Sequence, residues 1–177
     1  MPSRNHQTAS QAEHLPVIGC LSVLPFPEQE QPQGKEKTWS GPGYHLAVLR
    51  ESQDFWEDRS EEIVATAEQE IDDSLAVLVA ALTARWGEPE AVDLWTYLGC
   101  DKSDSDFVAP EPLNFLAGVT GCMQVWRLPS SSRWLGLAVG QADPEWPIQL
   151  LAAVGENAAL PDDEPTCDRA DLSITTL

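Results

Sequence analysis

Residues 60–86, SEEIVATAEQEIDDSLAVLVAALTARW, decide the architecture. Ile63, Ala67, Ile71, Leu75, Leu78, Leu82 and Trp86 recur at steps of three and four. That spacing draws one apolar stripe down a helix of about 40 Å. Asp58 with Glu61 three residues on forms a capping-box pattern, and Ser60 is a competing N-cap. Gly87 and then Pro89 supply the stop. A helix with a single apolar stripe needs a second layer to bury it, and the rest of the chain must supply that layer.

Strand patterns lie on both sides of the helix. Tyr44–Arg50 is one, and three more follow closely at 122–128, 133–141 and 147–154. The connections Pro129-Ser130-Ser131-Ser132 and Ala142-Asp143-Pro144-Glu145-Trp146 have lengths that suit antiparallel neighbours. The apolar run Val17–Leu24, closed by Pro25 and Pro27, reads as a buried strand that forms a hairpin with Tyr44–Arg50. Residues 28–42, rich in Gln, Glu, Pro and Gly, read as the long loop between them. Residues 90–98 and 111–117 read as short helices flanking a polar loop at 99–110. Strands and helices in blocks indicate an α+β fold: an antiparallel sheet of about five strands with the one long amphipathic helix packed on a face. Residues 1–14 are expected to be a flexible N-terminus, residues 15–157 a single domain, and residues 158–177 an acidic tail.

The composition supports a folded chain. At 177 residues, with 42% hydrophobic residues and seven Trp, the chain can bury roughly 70% of its unfolded surface. Disordered acidic chains lack aromatics, and this one does not. No apolar run is long enough for a transmembrane helix, and the N-terminus has no secretory h-region, so the expected location is the cytoplasm. Cys20, Cys100, Cys122 and Cys167 show no paired spacing and are expected as reduced, mostly buried thiols.

Charge is the strongest functional signal. Asp and Glu number 29 against 10 Lys and Arg, a formal charge of −19. Such a surplus repels nucleic acid and anionic membrane and attracts basic surfaces. Between Glu51 and Asp73 every charged residue except Arg59 is acidic. Acids near a helix N-terminus are favoured by the macrodipole, and a charged face opposite an apolar stripe is ordinary. Glu68 and Asp72, however, place like charges four residues apart, at a cost of a few tenths of a kcal/mol that nothing local offsets.

Other constellations carry less. Asp101-Lys102-Ser103-Asp104-Ser105-Asp106 misses the calcium-loop pattern, with Asp106 where Gly is required and Pro112 where Glu is required. His6, His14, His45 and the scattered cysteines offer no zinc spacing. There is no nucleophile elbow and no phosphate-binding Gly-rich loop. A thiol–imidazole pair of Cys20 or Cys122 with His45 would require strand cysteines to leave the core. No catalytic residue, metal or cofactor is therefore expected. The tryptophans divide into core residues and exposed anchors, and Trp39 and Trp56 beside the acidic segment are the candidate anchors.

Two segments carry a resemblance. Leu82-Thr83-Ala84-Arg85-Trp86-Gly87-Glu88-Pro89, running into Val92-Asp93-Leu94, resembles a helix-to-loop signature of small acidic actinobacterial proteins without an assigned function. Arg133-Trp134-Leu135-Gly136-Leu137-Ala138-Val139-Gly140-Gln141, leading to Pro147 and Leu150, fits the same group. That resemblance implies no site residues. In size and charge alone the chain is similar to immunity proteins that neutralise toxins.

The function expected from these features is a non-enzymatic acidic binding protein of the immunity or inhibitor type, occupying a basic site on a partner protein. Glu61, Glu62, Glu68, Asp72 and Asp73 would supply charge, and Trp39 and Trp56 the anchors. Neither direct nucleic-acid binding nor membrane insertion is expected, and nothing sets the oligomeric state. A DNA mimic is a special case of this reading. The alternatives are a small ligand-binding or enzymatic domain with a pocket near residues 99–121, and an assembly subunit pairing through its sheet or its Trp.

Overall fold

The computed structural model describes residues 4–32, 34, 37–98 and 110–160. Cys100, Cys167, the Asp101–Asp106 loop and residues 161–177 of the acidic tail lie outside them. The chain runs α1 (Arg4–Val23), β1 (Thr38–Gly41), β2 (Tyr44–Glu51), α2 (Glu61–Trp86), β3 (Glu90–Asp93), α3 (Leu113–Val119), β4 (Cys122–Arg127), β5 (Arg133–Gly140) and β6 (Gln149–Glu156). A 3₁₀ turn, Trp95–Leu98, precedes α3, and another, Asn157–Ala159, follows β6. The fold is α+β, with one antiparallel sheet in the order β1-β2-β6-β5-β4-β3. The sheet has six strands rather than about five.

Central β6 is buried from Leu150 through Gly155, and its alternation divides the core in two. Leu150, Ala152 and Val154 join Leu135, Leu137 and Trp126 on the face covered by α2 and α1. Leu151 and Ala153 join Leu46, Val125, Met123 and Trp134 on the opposite face, covered by α3 and the 3₁₀ turn before it. α2 lays Ala67, Ile71, Leu75, Leu78 and Leu82 on the sheet, which is the stripe its sequence lays out. Each fully buried aliphatic of this kind stabilises the fold by about 1.5–3 kcal/mol. Ser74 is the polar member of the stripe, and its hydroxyl is matched: it donates to the Glu70 carbonyl and accepts from Arg50 Nη1 at 2.6 Å.

The two ends of α2 follow the expectation in part. Gly87, at φ 90°, ends the helix, and its N–H bonds the Thr83 carbonyl. At the start Ser60 is the N-cap but makes no side-chain cap. The Asp58 carboxylate instead accepts the Ser60 N–H at 2.8 Å, so the capping box is replaced by a local Asx contact.

Three sequence readings are corrected. Val17–Leu24 is not a strand but the last part of α1 and its exit. The buried residues there are His14, Ile18, Leu21 and Ser22, a helical spacing, while Val17, Val23 and Leu24 face solvent. The contiguous apolar run concealed that period. Cys20 consequently lies exposed rather than buried, and Cys122 is half-buried. Residues 28–42 are not all loop: Trp39 in β1 pairs with Leu46, and Gln31 bridges to Ser40 beyond it. The turn Gly41-Pro42-Gly43-Tyr44, with Gly43 at φ 81°, carries Pro and Gly where a type II turn requires them. Residues 90–98 form β3 and a 3₁₀ turn rather than a helix, because Val92 pairs with Met123 and is buried under the sheet edge.

A polar latch holds the exit of α1 against the sheet. Arg133 donates to the Ser22 and Leu24 carbonyls and stacks on the Phe26 ring at 4.0 Å. Cations at a helix C-terminus favour such contacts. His45, almost fully buried in β2, bonds the Ser40 hydroxyl through Nδ1 and the Leu24 carbonyl through Nε2. Both imidazole nitrogens are thereby used within the fold.

Truncating Leu78, which lies at the centre of the stripe, to Ala is expected to cost about 2–5 kcal/mol in a denaturant titration with little change in slope. Burial, reinforced by Arg133 and opposed by the Leu24 carbonyl, holds the His45 imidazole below its ordinary range. Burial does the same at His14, against the nearby Glu13. The unfolded chain therefore takes up protons near pH ~6.5 that the folded chain refuses. Stability is expected to fall as pH drops below ~6.5 and to level once the depressed folded values are passed. His45→Asn should flatten that slope in thermal melts recorded above the carboxylate range.

Candidate functional site

The acids chosen from sequence all lie on the exposed side of α2, in two rows. Glu61, Glu68 and Asp72 are separated by seven and four residues and share one flank. Glu62 and Asp73 form the next row round. Asp73 accepts a hydrogen bond from Gln69 at 2.8 Å, and outside the chosen set Glu70 faces Arg50 at 3.7 Å. Among the described residues, Glu61, Glu62, Glu68 and Asp72 form no ion pair.

The flank bearing Glu68 and Asp72 borders a groove of about 370 Å³. Its far wall is Val119, Thr120 and Gly121 with Gly140 and Gln141. The α3 exit and the β5 exit are clamped together here. The Gln141 N–H bonds the Val119 carbonyl at 3.0 Å, and a Cβ on Gly140 would lie 2.9 Å from the Val119 side chain. Glycine is required at that point by the close approach.

On the other side of Val119 lies a larger groove, about 670 Å³, on the sheet face opposite α2. Trp39 from β1, Tyr44 from β2, Phe115 from α3 and Trp146 from the β5–β6 connection line it, with Glu30, Gln31 and Gln149 at its polar margin. Trp39 and Phe115 meet edge to face, with ring centroids 5.1 Å apart. Phe115 is set by the start of α3, where the Glu111 carboxylate accepts the Phe115 N–H and the Asn114 amide. Trp146 is 50% exposed, and its turn is fixed by a bond from its N–H to the Asp143 carbonyl and by Gln141, which donates to the Trp146 carbonyl at 2.8 Å. The Tyr44 phenol is pushed up from its ordinary value, first by burial and then by the carboxylates of Glu30 and Glu111. The groove is aromatic within and negative at its rim.

The two candidate anchors separate. Trp39 is half-buried in the aromatic groove, across the sheet from α2. Trp56, 61% exposed, lines neither groove. Its segment is nonetheless ordered: Phe55 beside it is fully buried, the Phe55 N–H bonds the Glu145 carbonyl, and Arg59 pairs with the Glu145 side chain at 3.4 Å. Sequence reasoning missed Tyr44, Phe115, Glu30 and Trp146 as a set. Only Trp146, flanked by Asp143, Glu145 and two prolines, carried a local signal of an exposed anchor.

The pocket expected near residues 99–121 has a partial counterpart. Phe115 and Val119 line the groove, whereas residues 99–109 lie outside the described residues. Cys20 and Cys122 do not meet His45, whose nitrogens bond Ser40 and Leu24. Among the described residues no group of three or more His, Cys, Asp or Glu is placed to hold a metal ion, and no helix is long and apolar enough to cross a membrane.

Substituting Trp56 or Trp146 by Ala is expected to change stability by less than about 0.5 kcal/mol. Trp126→Ala or Trp134→Ala should cost about 3–5 kcal/mol, because both rings are buried in the core. Equilibrium unfolding of the four variants separates the two groups and marks which tryptophans are free to serve a surface. A scan against protein-family models, a search of curated proteins and a search of solved structures each return no match for the chain, so the grooves and their charge carry the functional reading.

Proposed function

We propose that this chain is a non-enzymatic acidic binding protein of the inhibitor or immunity type, acting in the cytoplasm by occupying a basic site on a partner protein. The observation that carries the reading is the row Glu61–Glu68–Asp72. It leaves like charges unpaired along one flank of α2 and opens onto a groove. Glu61 is favoured by the dipole at the helix N-terminus, but holding Glu68 and Asp72 together costs stability without a local return, which supports a reading of charge kept for an encounter. Glu62 and Asp73 extend the same field, and Trp39 in the aromatic groove and the exposed Trp56 offer aromatic contact. The field attracts a basic protein over a Debye length and turns away nucleic acid.

A second reading is favoured by one observation, the 670 Å³ aromatic groove, which falls within the size range of small-molecule sites. In that reading the chain is a ligand-binding domain and the acids only keep it soluble.

The two readings part on salt. The test is capture of partners from a lysate of the protein's own source, followed by stopped-flow association with the captured protein. Glu61→Lys, Glu68→Lys and Asp72→Lys combined are expected to slow association by about tenfold or more at low ionic strength. The difference should shrink at high ionic strength while dissociation changes little. An association rate indifferent to both salt and the triple substitution would sink the binding-protein reading in favour of the ligand-binding one.

A further inference from the structure

The aromatic groove and the acidic flank lie on either side of Val119, and their chemistry converges. Trp39, Tyr44, Phe115 and Trp146 present rings on one concave surface, and Glu30 stands at its edge. A purely apolar ligand would gain from the rings but would make no use of the exposed Glu30 carboxylate at the edge. A simple metal cation would find a single carboxylate where it prefers several, and would gain little from the rings. A planar organic cation satisfies both. Guanidinium is weakly hydrated, stacks on aromatic faces and keeps its N–H groups in plane for carboxylate and amide oxygens. Gln31 and Gln149 supply such amide oxygens at the margin.

We propose that the Trp39–Tyr44–Phe115–Trp146 groove is a docking site for an arginine side chain of a basic partner protein, its guanidinium stacked on the rings and turned toward Glu30. The proposal rests on the reading above, that the partner is a basic protein, and gives that partner a specific point of insertion. Charge complementarity argues for it from two directions. Glu30 and Glu111 both act on the Tyr44 phenol, so the field at the groove is negative. The Glu68–Asp72 flank opens just beyond Val119, so further basic residues of the same partner meet carboxylates next to the groove. The cavity exceeds a single side chain, which leaves room for the backbone of the segment that carries the arginine.

The probe is a blocked tripeptide, acetyl-Ala-Arg-Ala-amide, titrated into the full-length protein and followed by the indole N–H resonances of Trp39 and Trp146. The neutral, nearly isosteric citrulline tripeptide is the control. The expected result is saturable shifts of both indoles with the arginine peptide, at least about tenfold weaker with citrulline. Trp146→Ala and Glu30→Gln, both at exposed positions, should each weaken the arginine peptide by roughly 3- to 30-fold without disturbing the other resonances. Equal binding of citrulline would overturn the proposal and identify a neutral-ligand groove. Shifts confined to α2, or no saturable shift of either indole, would also overturn it. Either of those failures leaves salt-dependent capture of a basic protein through the Glu61–Glu68–Asp72 row standing. A groove that binds the arginine peptide while no basic partner associates would remove the inhibitor reading instead.

Discussion

Everything in this fold depends on burying β6 from both sides. A strand whose residues are withdrawn from water on alternate faces needs a layer above and a layer below, and it cannot carry large side chains everywhere. The sequence Leu150-Leu151-Ala152-Ala153-Val154-Gly155 meets that constraint. The alanines let α2 and the α3 layer approach, and Gly155 lies under the Trp134 ring, where a Cβ would come within 2.6 Å of it. Trp134 can then fill the far face of the sheet while Trp126, one strand over, fills the near face and bonds the Gly87 carbonyl at the end of α2. The helices lie on the two faces because β6 requires them there.

How much of this was legible in the sequence follows from which signals are local. α2 was legible because its stripe is long, regular and closed by Gly87. β4, β5 and β6 were legible because each is bounded by turn residues. α1 was not, since its apolar residues run together and the discriminating fact, that Val17 and Val23 face water while Ile18 and Leu21 do not, depends on where α2 lies. β1 was missed although Gly41-Pro42-Gly43 announces a tight turn, because the polar residues before it outweighed that signal. β3 was missed because a four-residue edge strand carries almost no period, and only its pairing with β4 defines it.

The candidate site was legible in charge and not in shape. The acids of α2 are visible in the sequence because they are crowded into 13 residues, from Glu61 to Asp73, and their placement on the exposed side of a helix follows from its geometry. The aromatic groove draws on β1, β2, α3 and the β5–β6 connection, segments more than a hundred residues apart in the chain at the extremes. No local pattern could assemble Tyr44 with Trp146. Composition nonetheless bounds the chemistry: a chain of formal charge −19 lowers its self-repulsion when a cation docks, wherever the groove is.

Val119 separates the two grooves and is held against the exit of β5, through the bond from the Gln141 N–H to its carbonyl and its close approach to Gly140. The wall between the acidic flank and the aromatic rings is therefore set by the fold before any encounter. A ligand bridging them meets the second contact at the high effective concentration of an intramolecular event, with no linker to order. Two contacts that would each be weak alone then add in free energy, because the translational cost of association is incurred only once. Under the proposed reading, the spacing across this one valine would act as a ruler, selecting among basic partners by the separation of their cationic groups as well as by their charge.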